Sequence, residues 1–227
     1  MEFIKSMNDH QSLSDRVSRL IENSILDGSI SPGERIIESD IAKRLGISKA
    51  PVREALKRLE GDSIVQHLPR RGYFTNTIDM KSISDFFEIA FIIEPIVARN
   101  ALKKKTDTVD ETLVNLLKDM KKALRDKDFE TYLAHNTRFH SLFRDLNDNE
   151  WIIKVSHMLS KQTRILTALS LSVPARYAES IQEHAEIADA FHKGSPKALD
   201  QAIIKHLKKF KENIIKSYET LEMKETL

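Results

Sequence analysis

The segment 32–72 constrains the fold more than any other part of the sequence, because it predicts two short helices at a sharp angle followed by a β-hairpin. Residues 38–45 have the apolar spacing of one buried helical face. Gly46 then permits a left-handed corner, Ser48 is a favourable N-cap, and Pro51 falls in the first helical turn, where its missing N–H is harmless. The apolar positions of the two predicted helices are Ile41, Ala42, Leu45, Val52, Ala55, Leu56 and Leu59. The segment therefore predicts a helix-turn-helix unit.

The second predicted helix carries a basic stripe on the side opposite its apolar residues. Lys49, Arg53 and Lys57 follow one another at intervals of four, so they share one face. Between Lys43 and Asn76 there are eight basic and three acidic residues, a balance of +5 that exceeds the +2 of the whole chain. A basic helix face is often only a solvated face, but here the cap, the corner and the apolar stripe all agree with a helix that enters the DNA major groove. The pattern predicts double-stranded DNA as a partner.

A two-stranded wing is predicted directly after this helix. Residues 64–67 and 73–75 include strand-forming side chains, and the segment 69–72, Pro-Arg-Arg-Gly, has the composition of a turn. Arg70 and Arg71 are therefore expected at the tip of the wing. An arginine there suits a DNA groove or a phosphate, because its planar guanidinium can donate two hydrogen bonds at once.

The segment, with the helix predicted before it, resembles the DNA-binding domain of the GntR family of bacterial transcription regulators. The residues that carry the resemblance are Val17, Ile21, Ile25, Gly28, Ile30, Pro32, Gly33, Glu34, Arg35, Glu38, Leu45, Gly46, Ile47, Ser48, Pro51, Val52, Arg53, Glu54, Ala55, Leu56, Leu59, Glu60, Arg71 and Gly72. The resemblance implies a winged helix-turn-helix over residues 1–76. It implies that Arg35, Lys49, Arg53, Arg70 and Gly72 meet the DNA, and we expect Ser48 and Arg71 to contact the DNA as well. Residues 61–65, Gly-Asp-Ser-Ile-Val, depart from the family's acidic-Gly-Leu-Val helix end, so we expect altered geometry there with DNA binding retained.

Length and composition predict a second domain in an intracellular protein. The chain has 227 residues, of which the DNA-reading unit uses about a third. It has no cysteine, which excludes disulfides and thiolate zinc sites and fits a reducing cytosol. Its first residues do not form a signal peptide, and no apolar run approaches the ~20 residues of a membrane span. We therefore expect a soluble cytoplasmic protein without a membrane partner.

The second domain is predicted to be an all-α bundle of six or seven helices over residues 82–227, joined to the first by a linker at 77–81. With six glycines and six prolines in the chain, the second half has long helix-permissive segments separated by short breaks. The predicted helices span 82–102, 109–125, 129–146, 151–171, 175–192 and 196–222. The fold class is therefore mainly α, a winged helix-turn-helix followed by a helical bundle.

Three of these helices place a histidine in an apolar stripe. The stripes are Phe129, Leu133, Asn136, His140 and Phe143; Tyr177, Ile181, His184, Ala188 and Phe191; and Leu199, Ala202, Ile203, His206, Phe210 and Ile214. A buried imidazole is unfavourable unless both nitrogens have partners. A single such histidine is usually a hydrogen-bonded core residue, but three on separate helices can share a divalent cation, Zn²⁺, Ni²⁺, Mn²⁺ or Fe²⁺. Both interpretations stay open, because spacing alone does not show that the three converge.

Phe139-His140, Glu183-His184 and the late His206 are similar to signatures of the FadR-type effector domain of GntR regulators, called FCD. The resemblance covers nearly all of residues 80–218. It implies a metal that helps to hold a small organic acid. The metal ligands that it implies are Asn136, His140, His184 and His206. Because Asn136 is neutral where many relatives have Asp, we expect weaker binding of the cation.

A second departure concerns the effector. Ala90 stands where relatives often place an arginine that clamps an effector carboxylate, so a simple carboxylate effector is in doubt. Arg138, Arg164 or the metal itself could take over that role. The aromatic and Met positions, including the lone Trp151, are expected in the core, and the other histidines at the surface or in structural roles.

Together these features predict a ligand-responsive transcription regulator, more often a repressor among relatives. Two-fold pairing would match a pseudo-palindromic operator, which predicts a homodimer. A metal-sensing regulator, in which the cation is the signal, is the first alternative. A metalloenzyme with an autoregulatory DNA-binding domain is the second, and it would need Glu183 or Glu186 as a general base beside the metal.

Overall fold

The computed structural model describes residues 12–26, 29–77, 79–170 and 174–225, and the chain divides between residues 78 and 79 into two compact units. The elements of the N-terminal unit are α1 (Leu13–Leu26), β1 (Arg35–Ile36), α2 (Glu38–Leu45), α3 (Lys49–Gly61), β2 (Val65–Leu68) and β3 (Gly72–Thr75). The elements of the C-terminal unit are α4 (Met80–Leu102), α5 (Asp107–Arg125), α6 (Phe129–Asp145), α7 (Glu150–Ser170), α8 (Pro174–His192) and α9 (Pro196–Glu225). The mainly α fold class is confirmed.

The helix-turn-helix has the predicted corner. Gly46 adopts a left-handed φ of 65°, and its N–H closes the end of α2 on Ala42 and Lys43 carbonyls. Ser48 occupies the N-cap position of α3 with extended backbone, although its hydroxyl makes no capping hydrogen bond. Leu45 was expected in the core and is exposed, because α2 ends there. The core of this unit contains Val17, Ile21, Ala42, Val52, Ala55, Leu56 and Leu59, and α1 packs against α3.

The wing belongs to a three-stranded antiparallel sheet in the order β1-β3-β2. Within it, β2 pairs with β3 as predicted, and His67 lies opposite Tyr73. The third strand was missed: Arg35 and Ile36 form β1, with Arg35 opposite Phe74. A two-residue strand is too short to show an alternating pattern, so the prediction of a two-stranded wing was incomplete.

The departure from the family pattern at the end of α3 falls on a residue with a left-handed backbone. Ser63 occupies the position of the family's glycine and has a φ of 56°, in the left-handed region that disfavours side chains. Its carbonyl accepts a hydrogen bond from the Asn76 side chain at 2.6 Å. The turn into β2 therefore keeps the conformation that a glycine would adopt without strain.

Ser63→Gly is expected to raise the free energy of unfolding by about 0.5–1 kcal/mol, because the strain removed exceeds the added entropy of the unfolded chain. The carbonyl that binds Asn76 is retained in the variant. Asp62→Gly, one residue earlier at a φ of −87°, is the matched control and should destabilise the protein. Urea denaturation measures both, and an equal loss of stability in the two variants would contradict the strain argument.

The C-terminal unit is a helical bundle in which α9 packs against α4, α7 and α8, and α5 against α6 and α8. Its helices lie within three residues of the predicted ends, and the predicted end at Leu171 lies outside the described residues. Helix α4 begins at Met80, inside the predicted 77–81 linker, because the Asp79 side chain caps it by accepting a hydrogen bond from the Ser82 N–H. None of the helices in the described part of the chain is long and apolar enough to cross a membrane.

Two aromatic residues lie where the sequence did not predict them. Trp151 was expected in the core, but it is 75% exposed in the first turn of α7, with the Lys154 ammonium 5.0 Å from its ring centroid. Phe129 was expected in the buried stripe of α6 and is exposed at the start of that helix, with its ring against Tyr177. Both residues lie in a first helical turn, where one side of the helix has no neighbouring turn to cover it.

Candidate functional site

The basic stripe of α3 is exposed, as the sequence predicted. Lys49, Arg53 and Lys57 are exposed, while the opposite side of the helix is buried in the core. Arg53 donates from Nε and Nη2 to one carboxylate oxygen of Glu38 on α2, at 3.2 and 3.0 Å. This ion pair holds the guanidinium across the two helices of the helix-turn-helix, and it leaves Arg53 59% exposed. Ser48 is also exposed, at the N-terminal end of the same helix.

The wing places its cationic residues around a glycine. Gly72 has a φ of 93° and Arg70 a φ of 64°, so both turn residues are left-handed. A side chain at position 72 would meet the Arg35 guanidinium at 3.8 Å, which shows how closely the exposed β1 cation approaches the wing turn. Arg71 lies over the Phe74 ring, 5.4 Å from its centroid. The structure thus brings the arginines of β1 and the wing to one end of the sheet.

The three predicted histidines converge from three helices. His140 lies on α6, His184 on α8 and His206 on α9, and one ligand nitrogen of each lies within 4.8 Å of the other two. The Nε2 atoms of His140 and His184 are 3.0 Å apart. His184 is completely buried, and its ring also contacts Phe139 at a centroid distance of 4.7 Å. The apolar stripes that position these side chains are the packing faces of their helices.

A buried ion network orients His206. Its Nδ1 donates to Glu183 at 2.7 Å, and Arg176 donates both Nη atoms to the same carboxylate at 2.7 and 2.8 Å. Arg176 is 3% and Glu183 2% exposed. Although burial raises the pKa of Glu183, hydrogen bonds from His206 and Arg176 lower it to about 2. With Nδ1 protonated, the Nε2 lone pair of His206 is available to a metal, the usual arrangement for a carboxylate-supported histidine ligand.

This network was not predicted from the sequence, and it bears on the metalloenzyme alternative. Arg176 and Glu183 are seven residues apart on one face of α8, beyond the spacing of three or four residues at which side chains of one helix are expected to pair. A carboxylate with a pKa of about 2 is a weak base, and the Glu183 oxygens already accept hydrogen bonds from Arg176 and His206. Glu186, the other suggested base, binds Lys205 at 2.6 Å. Both carboxylates suggested for that role are thus engaged by neighbouring side chains.

The histidine cluster fits a divalent cation. Burial, followed by the charges of His206 and Arg144, lowers the pKa of His140 to about 3, and burial lowers that of His184 well below its usual value. Both imidazoles are therefore neutral near pH 7, the form that binds metals. Without an ion, one Nε2 must donate to the other, and His184 Nδ1 is buried without a partner in the described residues. A divalent ion can use the lone pairs of all three imidazoles.

The other predicted site residues of the bundle lie on α6 and α7. Asn136 lies one helical turn before His140 on α6 and is half-buried. Arg138 is more than half exposed and binds Asp145 at 2.7 Å and Ser141 at 3.2 Å on its own helix. Arg164 is exposed on α7. The structure thus brings the three histidines together, and it engages Arg138 in contacts along the surface of α6.

Both units match known families. Residues 13–75 match the family described as bacterial regulatory proteins, gntR family, and residues 85–209 match the FCD domain. The HTH-type transcriptional repressor RspR of Escherichia coli K12 is 24% identical over 208 residues, which cover 92% of this chain and 91% of that protein. The gluconate operon transcriptional repressor of Bacillus subtilis is 25% identical over 174 residues, 77% of this chain and 70% of that protein.

Solved structures share the fold. E. coli McbR/YncC superposes with a TM-score of 0.78 at 20% identity, covering 93% of this chain and all of that chain. A putative GntR transcriptional regulator from Rhodococcus sp. RHA1 has a TM-score of 0.72 at 22% identity, over 89% of this chain and 97% of that chain. The metal-free FCD domain of TM0439 covers 64% of this chain and 99% of its own, with a TM-score of 0.55 at 22% identity. The chain therefore belongs to the GntR family of DNA-binding transcription regulators, with a GntR helix-turn-helix followed by an FCD domain.

Proposed function

We propose that this regulator is a repressor that binds a pseudo-palindromic operator as a homodimer and responds to a small metabolite bound at a metal site in the FCD domain. The observation that carries the proposal is the convergence of His140, His184 and His206 in a unit separate from the DNA-reading helix. A regulator needs two such sites, one for the operator and one for the signal. The relatives that are named repressors support repression, rather than activation, as the effect of operator binding.

The DNA contacts are proposed to come from α3, the wing and β1. On α3, Lys49 and Arg53 would reach base edges in the major groove, with Ser48 bound to the backbone. The wing residues Arg70, Arg71 and Gly72 and the strand residue Arg35 would meet phosphates or the minor groove. Because Arg53 is paired with Glu38, its guanidinium would exchange that carboxylate for a base or phosphate on binding.

The metal is proposed to be held by His140, His184 and His206, with Asn136 as the oxygen ligand, and Zn²⁺, Ni²⁺, Mn²⁺ or Fe²⁺ suits this donor set. When bound, the ion would supply positive charge and open positions for an anionic group of the effector. Glu183 would hold the His206 ring in its ligating orientation through the Nδ1 hydrogen bond. The protein residues thus fix the ligand geometry before the effector arrives.

The response is proposed to be a population shift in the homodimer. An effector that binds one arrangement of the bundle more tightly changes the separation of the two DNA-reading heads, and with it the operator affinity. Exposed apolar side chains on the bundle support a second copy as partner, since such residues are often covered in assemblies. They are Ile89 and Ile92 on α4 and Trp151 and Met158 on α7.

A metal-sensing regulator is the second candidate, and the neutral Asn136 favours it. Three imidazoles and an amide bring no negative charge to the cation, so occupancy would be more readily reversible than with a carboxylate ligand. Titration of metal into stripped protein, followed by operator binding at fixed salt, separates the two functions. Strong metal dependence without any metabolite would favour the sensor, and a response only to metabolite would favour the proposed function.

Lys49→Ala and Arg53→Ala are each expected to weaken operator binding by about 1–3 kcal/mol, because each removes a cationic donor to a base edge. Glu38→Gln should act in the opposite direction, since it releases Arg53 and removes a negative charge near the DNA. Fluorescence anisotropy with a selected operator at fixed salt measures the three affinities.

Lys121→Ala on α5 is the matched control for the loss of one positive charge from an exposed helix face. Its operator affinity should stay within a factor of about two of the wild type, since Lys121 lies outside the helices and wing that are proposed to contact the operator. Wild-type affinity in both α3 variants would contradict the assignment of α3 as the DNA-reading helix.

A further inference from the structure

The outward face of the wing sheet carries an aromatic ring between two polar side chains. Residues that lie opposite each other in an antiparallel sheet share a face. Phe74 lies opposite both Arg35 and Gln66, so these three residues form one row across the strands. In the neighbouring row Ile36 and Tyr73 are buried, whereas Arg35 and Gln66 are exposed and Phe74 is half-buried. The Phe74 ring therefore lies on the side of the sheet that faces away from the core.

This ring holds the side chain of Arg71. The Arg71 Cζ atom lies over the Phe74 ring at 5.4 Å from its centroid, within the range of a cation–π interaction. The Arg71 N–H donates to the Leu68 carbonyl at 3.0 Å across the turn, so the backbone of this residue is fixed as well. Arg70, the preceding turn residue, is exposed and has no ring contact in the part of the chain that the structure describes. Of these two adjacent arginines, Arg71 is therefore the one whose guanidinium is held by an aromatic ring.

A second guanidinium, that of Arg35, lies on the same face. A Cβ atom at Gly72 would be 3.8 and 3.9 Å from two of its nitrogens, so the Arg35 side chain extends along β3 toward the wing turn. Among the described residues, neither Arg35 nor Arg71 forms an ion pair with a carboxylate. Cations gathered on one face without acidic partners create a positive potential that attracts anions. This face of the sheet therefore suits the phosphates of a DNA backbone.

We propose that Phe74 is a positioning residue that holds the Arg71 guanidinium ready for a phosphate of the operator backbone. A long side chain loses rotamer freedom when it binds, and this loss lowers the affinity. The Phe74 ring restricts the Arg71 side chain before the DNA arrives, so less freedom is lost on binding. A guanidinium that lies over a ring can still donate its N–H groups to phosphate oxygens. The inference rests on the proposed DNA contact of Arg71 and adds the residue that prepares it.

Phe74→Leu, which removes the ring and keeps an apolar side chain, tests this role in a double-mutant cycle with Arg71→Ala on the full-length protein. Fluorescence anisotropy at fixed salt measures binding to an operator selected from a random duplex library. Phe74→Leu should weaken binding about two- to fivefold, the range of an exposed cation–π contact. Phe74→Tyr should match the wild type because it keeps the ring. In protein that already carries Arg71→Ala, Phe74→Leu should have no further effect.

Arg70→Ala is the matched control, because it removes the same charge from the adjacent position of the wing turn. Arg70 has no contact with the Phe74 ring in the described residues. Phe74→Leu should therefore weaken binding by the same factor whether or not Arg70 is present. Coupling of Phe74 to Arg71 but not to Arg70 is the expected result.

A contact to a phosphate also predicts how binding depends on DNA sequence and salt. Phe74→Leu and Arg71→Ala should each weaken binding to the operator and to a duplex of scrambled sequence by the same factor. Arg53→Ala, proposed to reach a base edge, should weaken binding to the operator more. Arg71→Ala should lower the slope of log affinity against log salt concentration by about one.

Equal weakening by Phe74→Leu with and without Arg71 would overturn the inference, because the ring would then act only on the fold of the sheet. Wild-type affinity in Phe74→Leu would overturn it as well, and the proposed function would stand if Lys49→Ala and Arg53→Ala still bind weakly. Wild-type affinity in the wing and α3 variants alike would contradict the proposed DNA-reading surface itself. If Phe74→Leu does not fold, Phe74→Met takes its place in the cycle, since it also replaces the ring by an apolar chain.

Discussion

Arg176→Met is expected to lower the free energy of unfolding by about 3–5 kcal/mol, the range for breaking a buried ion pair. Glu183 is 2% exposed and would lose both hydrogen bonds from the guanidinium. His206 at 2.7 Å and Lys209 at 3.6 Å would remain, so the lower part of the range is the more appropriate expectation. Urea denaturation of the metal-free protein at pH 7 measures the loss.

The double variant Arg176→Met with Glu183→Gln distinguishes an unpaired charge from lost packing. Each single variant leaves a buried charge without its partner, whereas the double variant leaves none, and its amide oxygen can still accept from His206. Its stability should therefore recover most of the loss. Lys205→Met, which breaks the more exposed pair between Lys205 on α9 and Glu186 on α8, should change stability by less than ~1 kcal/mol.

The effect of Arg176→Met should also depend on pH in one direction. The pKa of Glu183 is lowered from its usual value near 4.5 to about 2 in the folded protein. The stability that comes from this ion pair is therefore fully present above about pH 4.5 and is lost as the pH falls toward 2. The difference between wild type and variant should shrink over that interval. A constant difference from pH 6 to pH 3 would assign the loss to packing instead.

The helices of the bundle could be predicted because their buried stripes have unbroken helical spacing. His184 and His206 lie in such stripes, and the packing of α8 against α9 brings the two stripes together. The convergence of these two histidines with His140 could not be predicted, because the sequence does not state which helices pack against α6. The pairing of Arg176 with Glu183 was not predicted because side chains of one helix are expected to pair at three or four residues, and these two are seven apart.

The parts of the fold that sequence reasoning missed are short elements or the ends of elements. The strand β1 has two residues, Arg35 and Ile36, and it is identified by its pairing with β3. Trp151 shows a different error. It was assigned to the core because it is a large aromatic residue, but it lies in an exposed helical turn. Residue type and periodicity predict where a helix or strand lies more reliably than they predict which residues pack against its ends.

His140→Ala combined with His184→Ala is expected to abolish metal binding, because two of the three imidazoles that converge from α6, α8 and α9 are removed. Elemental analysis should find about one ion per chain in the wild type and essentially none in the variant. In stripped wild-type protein, metal at ~100 times its dissociation constant should add about 2.7 kcal/mol of stability. The variant should gain nothing from the same addition.

His157→Ala, which removes an exposed imidazole from α7, is the matched control and should keep both the metal and its stabilising effect. Circular dichroism of the double variant distinguishes loss of the site from loss of the fold, since its helical signal should remain close to that of the stripped wild type. A folded double variant that still carries the metal would remove the three-histidine site. The effector response would then have to depend on groups other than these imidazoles, because no cation would be held between them.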